Sequence, residues 1–190
     1  MIALKQPLIL ASGSPRRKEI LNQMNLPHTV DVSDADESYI SSPEEMVLEL
    51  SKRKAEAVSI KHPDSLILAA DTLVFGQTVL GKPNNAEHAK EMLRQLSDNW
   101  HSVYTGITLI NTANGKMLSR AEMTRVHFVN LSEQDIDAYV TTNEPLDKAG
   151  AYGIQGIGGM FVDRIEGSYS NVVGLPMALL RSMLLEIYQE

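Results

Sequence analysis

Leu66-Ile67-Leu68-Ala69-Ala70 is an unbroken apolar run of strand length. It lacks the alternation of a strand that is wet on one side, so it suits a strand buried on both faces. A chain of 190 residues sits at the upper end of what one hydrophobic core usually supports, so one domain spanning residues 1–190 is expected around it.

The flanking segments set the class of fold. Pro7 to Ala11 reads as a short buried strand, followed by Ser12-Gly13-Ser14-Pro15 and then Ile20, Leu21 and Met24 at helical spacing. Ser42-Pro43-Glu44-Glu45 has the form of a capping box with proline at the first helical position, opening a helix that runs to about Ile60. Val74 to Val79 resembles a hairpin, and Asn85 caps a helix carrying Ala89, Met92, Leu93 and Leu96. A second hairpin pairs Val103–Asn111 with Met117–Val129 through Asn114-Gly115, and Ser132 opens a helix with Ile136, Tyr139 and Val140 inward. Five glycines between Gly150 and Gly159 precede a strand from Met160 to Ile165 and a final helix at Pro176. Helices and strands alternate, but the hairpins interrupt the order. This pattern predicts an α/β protein with a mixed sheet.

Composition removes several classes of function. With 17 Lys and Arg against 24 Asp and Glu, the net charge of −7 opposes contact with a nucleic acid backbone. No segment is long and apolar enough to span a bilayer, and the Leu8-Ile9-Leu10 run is shorter than the apolar region of a secretory signal. With no cysteine in the chain, a cytoplasmic location is expected, and thiolate chemistry and disulfides are excluded. No GxGxxG after a strand, no GxxxxGK[ST] and no HExxH occurs. What remains is chemistry by carboxylates, hydroxyls, lysines and arginines.

Such residues gather at particular places. Arg16, Arg17 and Lys18 stand in the first turn of their helix, where the dipole disfavours cations. Either this is an exposed basic turn, or an anion is held there by free N–H groups, the Ser12 hydroxyl and guanidinium forks. On the second reading Arg17 serves the ligand and adds nothing to the stability of the helix. Lys54 falls in line with Val47, Leu50 and Val58 on an apolar helix face, either snorkelling past the core or pointing at a phosphate. Asp71 closes the apolar run, at what reads as the carboxyl end of a strand, where ligands of open α/β sheets bind; a structural turn cap is the competing reading. Glu37, in Asp34-Ala35-Asp36-Glu37, offers a second carboxylate for a hard divalent cation, and Lys82 lies between Gly81 and Pro83. Together these are the parts that phosphoryl or nucleotidyl transfer requires.

The ordered segments Leu10-Ala11-Ser12-Gly13-Ser14-Pro15-Arg16-Arg17, Asp36-Glu37, Lys54-Ala55, Ala70-Asp71-Thr72, Gly81-Lys82-Pro83, Thr105-Gly106 and Asp147 to Gly156 resemble the motifs of the Maf nucleotide pyrophosphatases. The resemblance runs from about Leu8 to the final helix. It implies a long mixed β-sheet flanked by helices, with two lobes around a central cleft as in the Maf and ITPase-like folds. It also implies a homodimer, a divalent metal cation (Mg²⁺ or Mn²⁺), and hydrolysis of dTTP and UTP, or of modified pyrimidine nucleotides, to a monophosphate and pyrophosphate. By motif position, Asp71 matches the proton acceptor, Glu37 and Asp71 the metal carboxylates, and Ser12, Arg17, Lys54 and Lys82 the triphosphate contacts. Arg16, Thr72 and Gln155 match the positions associated with substrate choice. One departure is visible: after Ser97 stands Asp98 where the family pattern leads one to expect glycine, which puts the local loop conformation in question.

Two other activities share these parts. A non-catalytic nucleotide-binding regulator, of septum formation as the resemblance to the Maf family suggests, would keep the binding groups without turnover. A nucleotidyltransferase would release pyrophosphate only when an acceptor is present.

Overall fold

The computed structural model describes residues 2–189. In chain order the elements are β1 (Leu8–Leu10), α1 (Pro15–Gln23), β2 (His28–Val30), α2 (Pro43–Ser59), β3 (Leu66–Phe75), β4 (Val79–Leu80) and α3 (Ala86–Leu96). There follow β5 (Trp100–Asn111), β6 (Lys116–Phe128), α4 (Glu133–Thr141), three 3-10 turns between Glu144 and Phe161, β7 (Val162–Glu166), α5 (Tyr169–Val173) and α6 (Met177–Glu186). The strands form one seven-stranded sheet in the order β2-β1-β3-β5-β6-β7, with β4 paired to β3. It is mixed: β1 runs parallel to β2 and β3, whereas β4 is antiparallel to β3 and β7 to β6. The α/β class with a long mixed sheet is as expected.

The chain divides into two compact units: Met1–Asp71 with Thr105–Glu122 and Gly174–Glu190, and Thr72–Tyr104 with Met123–Val173. Strands β3, β5 and β6 each contribute residues to both.

In the first unit Leu66 to Ala70 are fully buried, as the unbroken apolar run requires. Ile67 and Ala69 join Ile9, Ala11 and Ile110 in one cluster beneath Ala55 and Val58 of α2, and each large aliphatic side chain so covered is worth roughly 1.5–3 kcal/mol. Helix α2 starts where expected, with the Ser42 hydroxyl accepting from the Glu45 N–H. The reciprocal half of the box is altered, since the Glu45 carboxylate accepts from the hydroxyls of Ser41 and Ser42. Two features seat α2 on β5. A Cβ on Gly106 would lie 2.3 Å from the Val47 carbonyl oxygen, so only glycine allows the approach, and Ser51 and Thr108 share a buried 3.0 Å hydrogen bond.

In the second unit, Ala89, Met92, Leu93 and Leu96 of α3 and Ile136, Tyr139 and Val140 of α4 share one core with Phe128, Tyr152 and Phe161. Asn85 caps α3, accepting from the His88 N–H at 2.9 Å. Ser132 and Asp135 complete a reciprocal capping box on α4. The turn Ser97-Asp98 keeps the shape a glycine would give: Asp98 takes φ +53°, which aspartate tolerates better than most residues, and its N–H reaches the Val129 carbonyl at 3.1 Å.

Two expectations need correction, and two elements were not expected. Strand β3 does not end at Ala70 but continues to Phe75, because Val74 and Phe75 find antiparallel partners in Leu80 and Val79. Asp71 is therefore inside a strand. Strand β7 begins at Val162 because Ile157–Phe161 forms a 3-10 turn. Strand β2 and helix α5 are additional elements.

Candidate active site

Asp71 lies in the strand, yet it sits just beyond the stretch that matters to Brändén's rule. Parallel pairing of β3 with β1 is registered at Leu8↔Leu66, Ile9↔Ile67 and Leu10↔Leu68, and the Ala11 N–H then donates to the Leu68 carbonyl at 2.8 Å. Past Leu10 the chain turns away through Ser12 and Gly13 into α1. Asp71 and the start of α1 thus both follow the carboxyl ends of parallel strands, although β3 itself runs on.

Lys54 is at the centre of a charged group. Its Nζ donates to Asp71 Oδ1 at 2.6 Å and pairs with Glu37 Oε1 at 2.9 Å. The Lys54 and Asp71 side chains are only 12% and 14% exposed, whereas Glu37 is 65% exposed. Lys54 does point inward, and in the ligand-free protein it neutralises carboxylates. Glu37 comes from the irregular segment between β2 and α2, which Arg53 fastens to α2. The Arg53 guanidinium donates to the carbonyls of Asp36 (3.4 Å) and Ser38 (3.3 Å), packs 5.2 Å from the Tyr39 ring centroid and donates to Glu49 at 2.8 Å. Asp36 takes no part in the carboxylate pair, because it accepts from the Ser38 N–H and hydroxyl, bonds that hold its carboxyl below the usual range. Sequence reasoning missed Arg53; the only local sign was Glu49 one turn earlier.

At the start of α1, Ser12 is buried and its Oγ accepts from Arg17 Nη1 at 3.0 Å and from the Ser14 N–H at 3.3 Å. Arg17 Nε also donates to the Gly174 carbonyl at 2.9 Å. Burial pushes the Arg17 guanidinium down from its ordinary value, and the carboxylates of Asp71 and Glu37 pull it back up while Arg16 lowers it further. The carboxylates of Asp71 and Glu37 thus lie within electrostatic range of Arg17. The Arg17 side chain ties the start of α1 to the segment before α6, a contact that the helix-start argument did not include. The first unit thus brings together Ser12, Arg17, Glu37, Lys54 and Asp71, with half-buried Arg16 next along the helix.

Thr72, Lys82 and Gln155 belong to the second unit. Thr72 follows Asp71 on β3 and is half-buried. Lys82 is exposed on the loop between β4 and α3, beside Gly81, whose carbonyl accepts from the Gly150 N–H at 3.1 Å. Gln155 is exposed on a turn closed by the Gly156 N–H on the Gly153 carbonyl at 3.1 Å.

The two carboxylates pass a simple test for a divalent cation. Among the described residues no group of three or more His, Asp or Glu could hold a metal ion. Glu37 and Asp71 nevertheless converge on one nitrogen, and Mg²⁺ is commonly held by one or two carboxylates, with water and substrate phosphates completing its shell. The residues fit such an ion.

The fold is similar to that of a HAM1 protein from Coxiella burnetii, with a TM-score of 0.52 and 16% identity over 95% of this chain and 99% of that one. The sequence profile of the family described as Maf-like protein matches residues 7–187. This chain belongs to that family. It is 50% identical to the dTTP/UTP pyrophosphatase of Halalkalibacterium halodurans over 176 residues, 91% of this chain and 92% of that protein. It is also 50% identical to the dTTP/UTP pyrophosphatase of Bacillus cytotoxicus over 175 residues, 90% and 91% of the two chains.

Proposed function

We propose that this protein is a nucleoside triphosphate pyrophosphatase that hydrolyses dTTP and UTP to the monophosphate and pyrophosphate. Its likeness to proteins named for that activity, at half identity over nine-tenths of both chains, carries the reading. The regulator of septum formation is not favoured, because relatives this similar are named as enzymes.

In the reaction, a water oxygen bonds to the α-phosphorus, the bond from that phosphorus to the α,β-bridging oxygen breaks, and pyrophosphate leaves with the electron pair. Asp71 takes the proton from the water as general base. Lys54 has three donors, of which two are directed at Asp71 and Glu37; the third serves a phosphate oxygen. Ser12, Arg17 and Lys82 hold the rest of the triphosphate, with Arg17 offering a planar fork and Lys82 a point charge. Glu37 and Asp71 would hold a divalent cation, Mg²⁺ or Mn²⁺, which when bound supplies charge neutralisation and a more acidic water. Arg16, Thr72 and Gln155 select the base; an amide offers a donor and an acceptor to match N3–H and O4 of uracil or thymine. We further infer a cytoplasmic homodimer with no nucleic acid or membrane partner. The absence of cysteine fits that compartment, and among the described residues no helix is long and apolar enough to cross a membrane.

The deciding experiment is incubation with UTP and Mg²⁺ in the absence of any acceptor, followed by separation of products. UMP and pyrophosphate in equal amounts are expected. UDP and phosphate would point to a different bond, and no turnover would leave a binding protein.

A further inference from the structure

The exposed turn that carries Gln155 is fastened at both ends by one polar assembly. At its start, the Gly153 N–H donates to Tyr139 Oη at 3.2 Å. At its end, the N–H groups of Ile157 and Gly158 donate to Glu144 Oε2 (2.9 Å) and Oε1 (3.1 Å). The Tyr139 hydroxyl donates to Glu144 Oε1 at 2.8 Å and so joins the two fastenings into one. The carboxylate lies against the loop backbone: a Cβ on Gly156, the residue after Gln155, would come 2.4 Å from Glu144 Oε2. Tyr139 itself is buried in the core of this unit.

This is more than a glycine-rich turn needs in order to close, since the backbone bonds Gly156 N–H to Gly153 O and Gly159 N–H to Gly156 O already do that. Burial alone would raise the Glu144 carboxyl, but the N–H bonds from Gly158 and Ile157 and the Tyr139 hydroxyl outweigh it and hold it below its ordinary value. It therefore stays a charged acceptor for two consecutive amides. A segment with glycines at 153, 156, 158 and 159 loses much backbone entropy when it is ordered. Ordering it beforehand removes that cost from the binding step.

We propose that Glu144, with Tyr139, is a positioning residue for substrate selection, holding the Gly153–Gly158 loop so that Gln155 meets the pyrimidine edge in one fixed place; this rests on the pyrimidine triphosphate reading above. Glu144 touches no reacting atom. It acts through the loop, by the two amides that follow Gly156. In Glu144→Gln the side-chain length is kept, but one of the two acceptor oxygens becomes a donor facing an N–H.

The test measures kcat/KM for UTP and CTP, together with thermal unfolding, on the full chain. Glu144→Gln should reduce the preference for UTP over CTP by roughly tenfold, below the hundredfold that a misplacement of 1 Å can cost, and mainly through KM for UTP. Tyr139→Phe, which leaves both amide bonds to Glu144 in place, should reduce it less. In a Gln155→Ala background Glu144→Gln should change the preference no further. A folded Glu144→Gln protein with unchanged preference, or one in which UTP and CTP turnover fall by the same factor, overturns the proposal and leaves Glu144 a structural residue. If Glu144→Gln does not fold, Tyr139→Phe decides by the same two outcomes. A wild type with no preference for UTP overturns the substrate reading and this proposal with it, whereas a discriminating wild type with indifferent variants overturns this proposal alone.

Discussion

Replacing Lys54 with methionine keeps a long unbranched stem and removes the charge that Asp71 and Glu37 share. Removing one partner of a buried ion pair costs about 3–5 kcal/mol, because the other charge is left uncompensated. Here the Lys54 and Asp71 side chains are 12% and 14% exposed, so most of that cost applies, while Glu37 at 65% exposure adds little. We expect Lys54→Met to lose about 2–3 kcal/mol in urea unfolding followed by circular dichroism with chelator present. That corresponds to a Tm drop of roughly 5–10 °C for a chain of this size. If Asp71 is the group left stranded, adding Asp71→Asn should recover part of the loss, and the double variant should fall short of the sum of the singles by more than about 0.5 kcal/mol. Mg²⁺ should then stabilise Lys54→Met more than wild type, since the ion no longer competes with an ammonium for the same oxygens. A loss below about 0.5 kcal/mol, or additive singles, would refute the argument by showing that the pair is solvated and energetically idle.

Asp71→Asn should lower UTP turnover by at least ~100-fold while the protein remains folded; near-native turnover removes Asp71 from the chemistry. Arg17→Ala should raise KM for the triphosphate and also cost about 1–3 kcal/mol in the ligand-free protein, through the bonds to Gly174 and Ser12; unchanged stability would show those bonds to be worth nothing net. His101 is 3% exposed and bonded to the Tyr152 hydroxyl at 2.9 Å, and burial, with His127 nearby, pushes it down from 6.5 to about 4. The unfolded chain therefore binds the extra proton between those values. Stability is full above about 6.5 and falls as the pH drops towards about 4, by roughly 3 kcal/mol in all. His101→Gln should flatten that dependence in urea midpoints taken across the range, and an equal slope in both proteins counts against it. Gln155→Glu should cut kcat/KM for UTP more than for CTP, because a carboxylate repels O4 yet accepts from an amino group; an equal fall leaves selection to Arg16 or Thr72.

What the sequence made legible was local. The caps at Ser42, Asn85 and Ser132 are contacts within four residues, and each forms with the side chain expected. The Leu66–Ala70 run and the inward faces of α3 and α4 follow from periodicity alone. The end of β3 was not legible, since Asp71 and Thr72 interrupt the apolar run while the strand continues on pairing with Val79 and Leu80. Strand β2 also escaped. Its three residues are mostly exposed and it is defined only by parallel register with β1. Within the candidate site, helical spacing put Lys54 on the apolar face of α2 but left open whether it snorkels past the core or points inward. Its partners, each 17 residues away in opposite directions along the chain, were not legible. Arg17 shows the limit most clearly: the dipole argument marked it as out of place for a helix start, but the carbonyl of Gly174 that holds it lies 157 residues on.

Those contacts also bear on how an acidic chain could accept a polyanion. The net charge of −7 repels a triphosphate at long range, so attraction must come from charges gathered locally and shielded from screening. In the first unit Arg16, Arg17 and Lys54 stand against Glu37 and Asp71, a balance only slightly positive. Without a further cation, the two carboxylates proposed for the chemistry would largely cancel the cations proposed for binding. A divalent ion held by Glu37 and Asp71, as proposed above, would change that balance and leave more of the Lys54 donors for the phosphates. Affinity for UTP and affinity for the ion should therefore rise together, because each removes the electrostatic obstacle to the other.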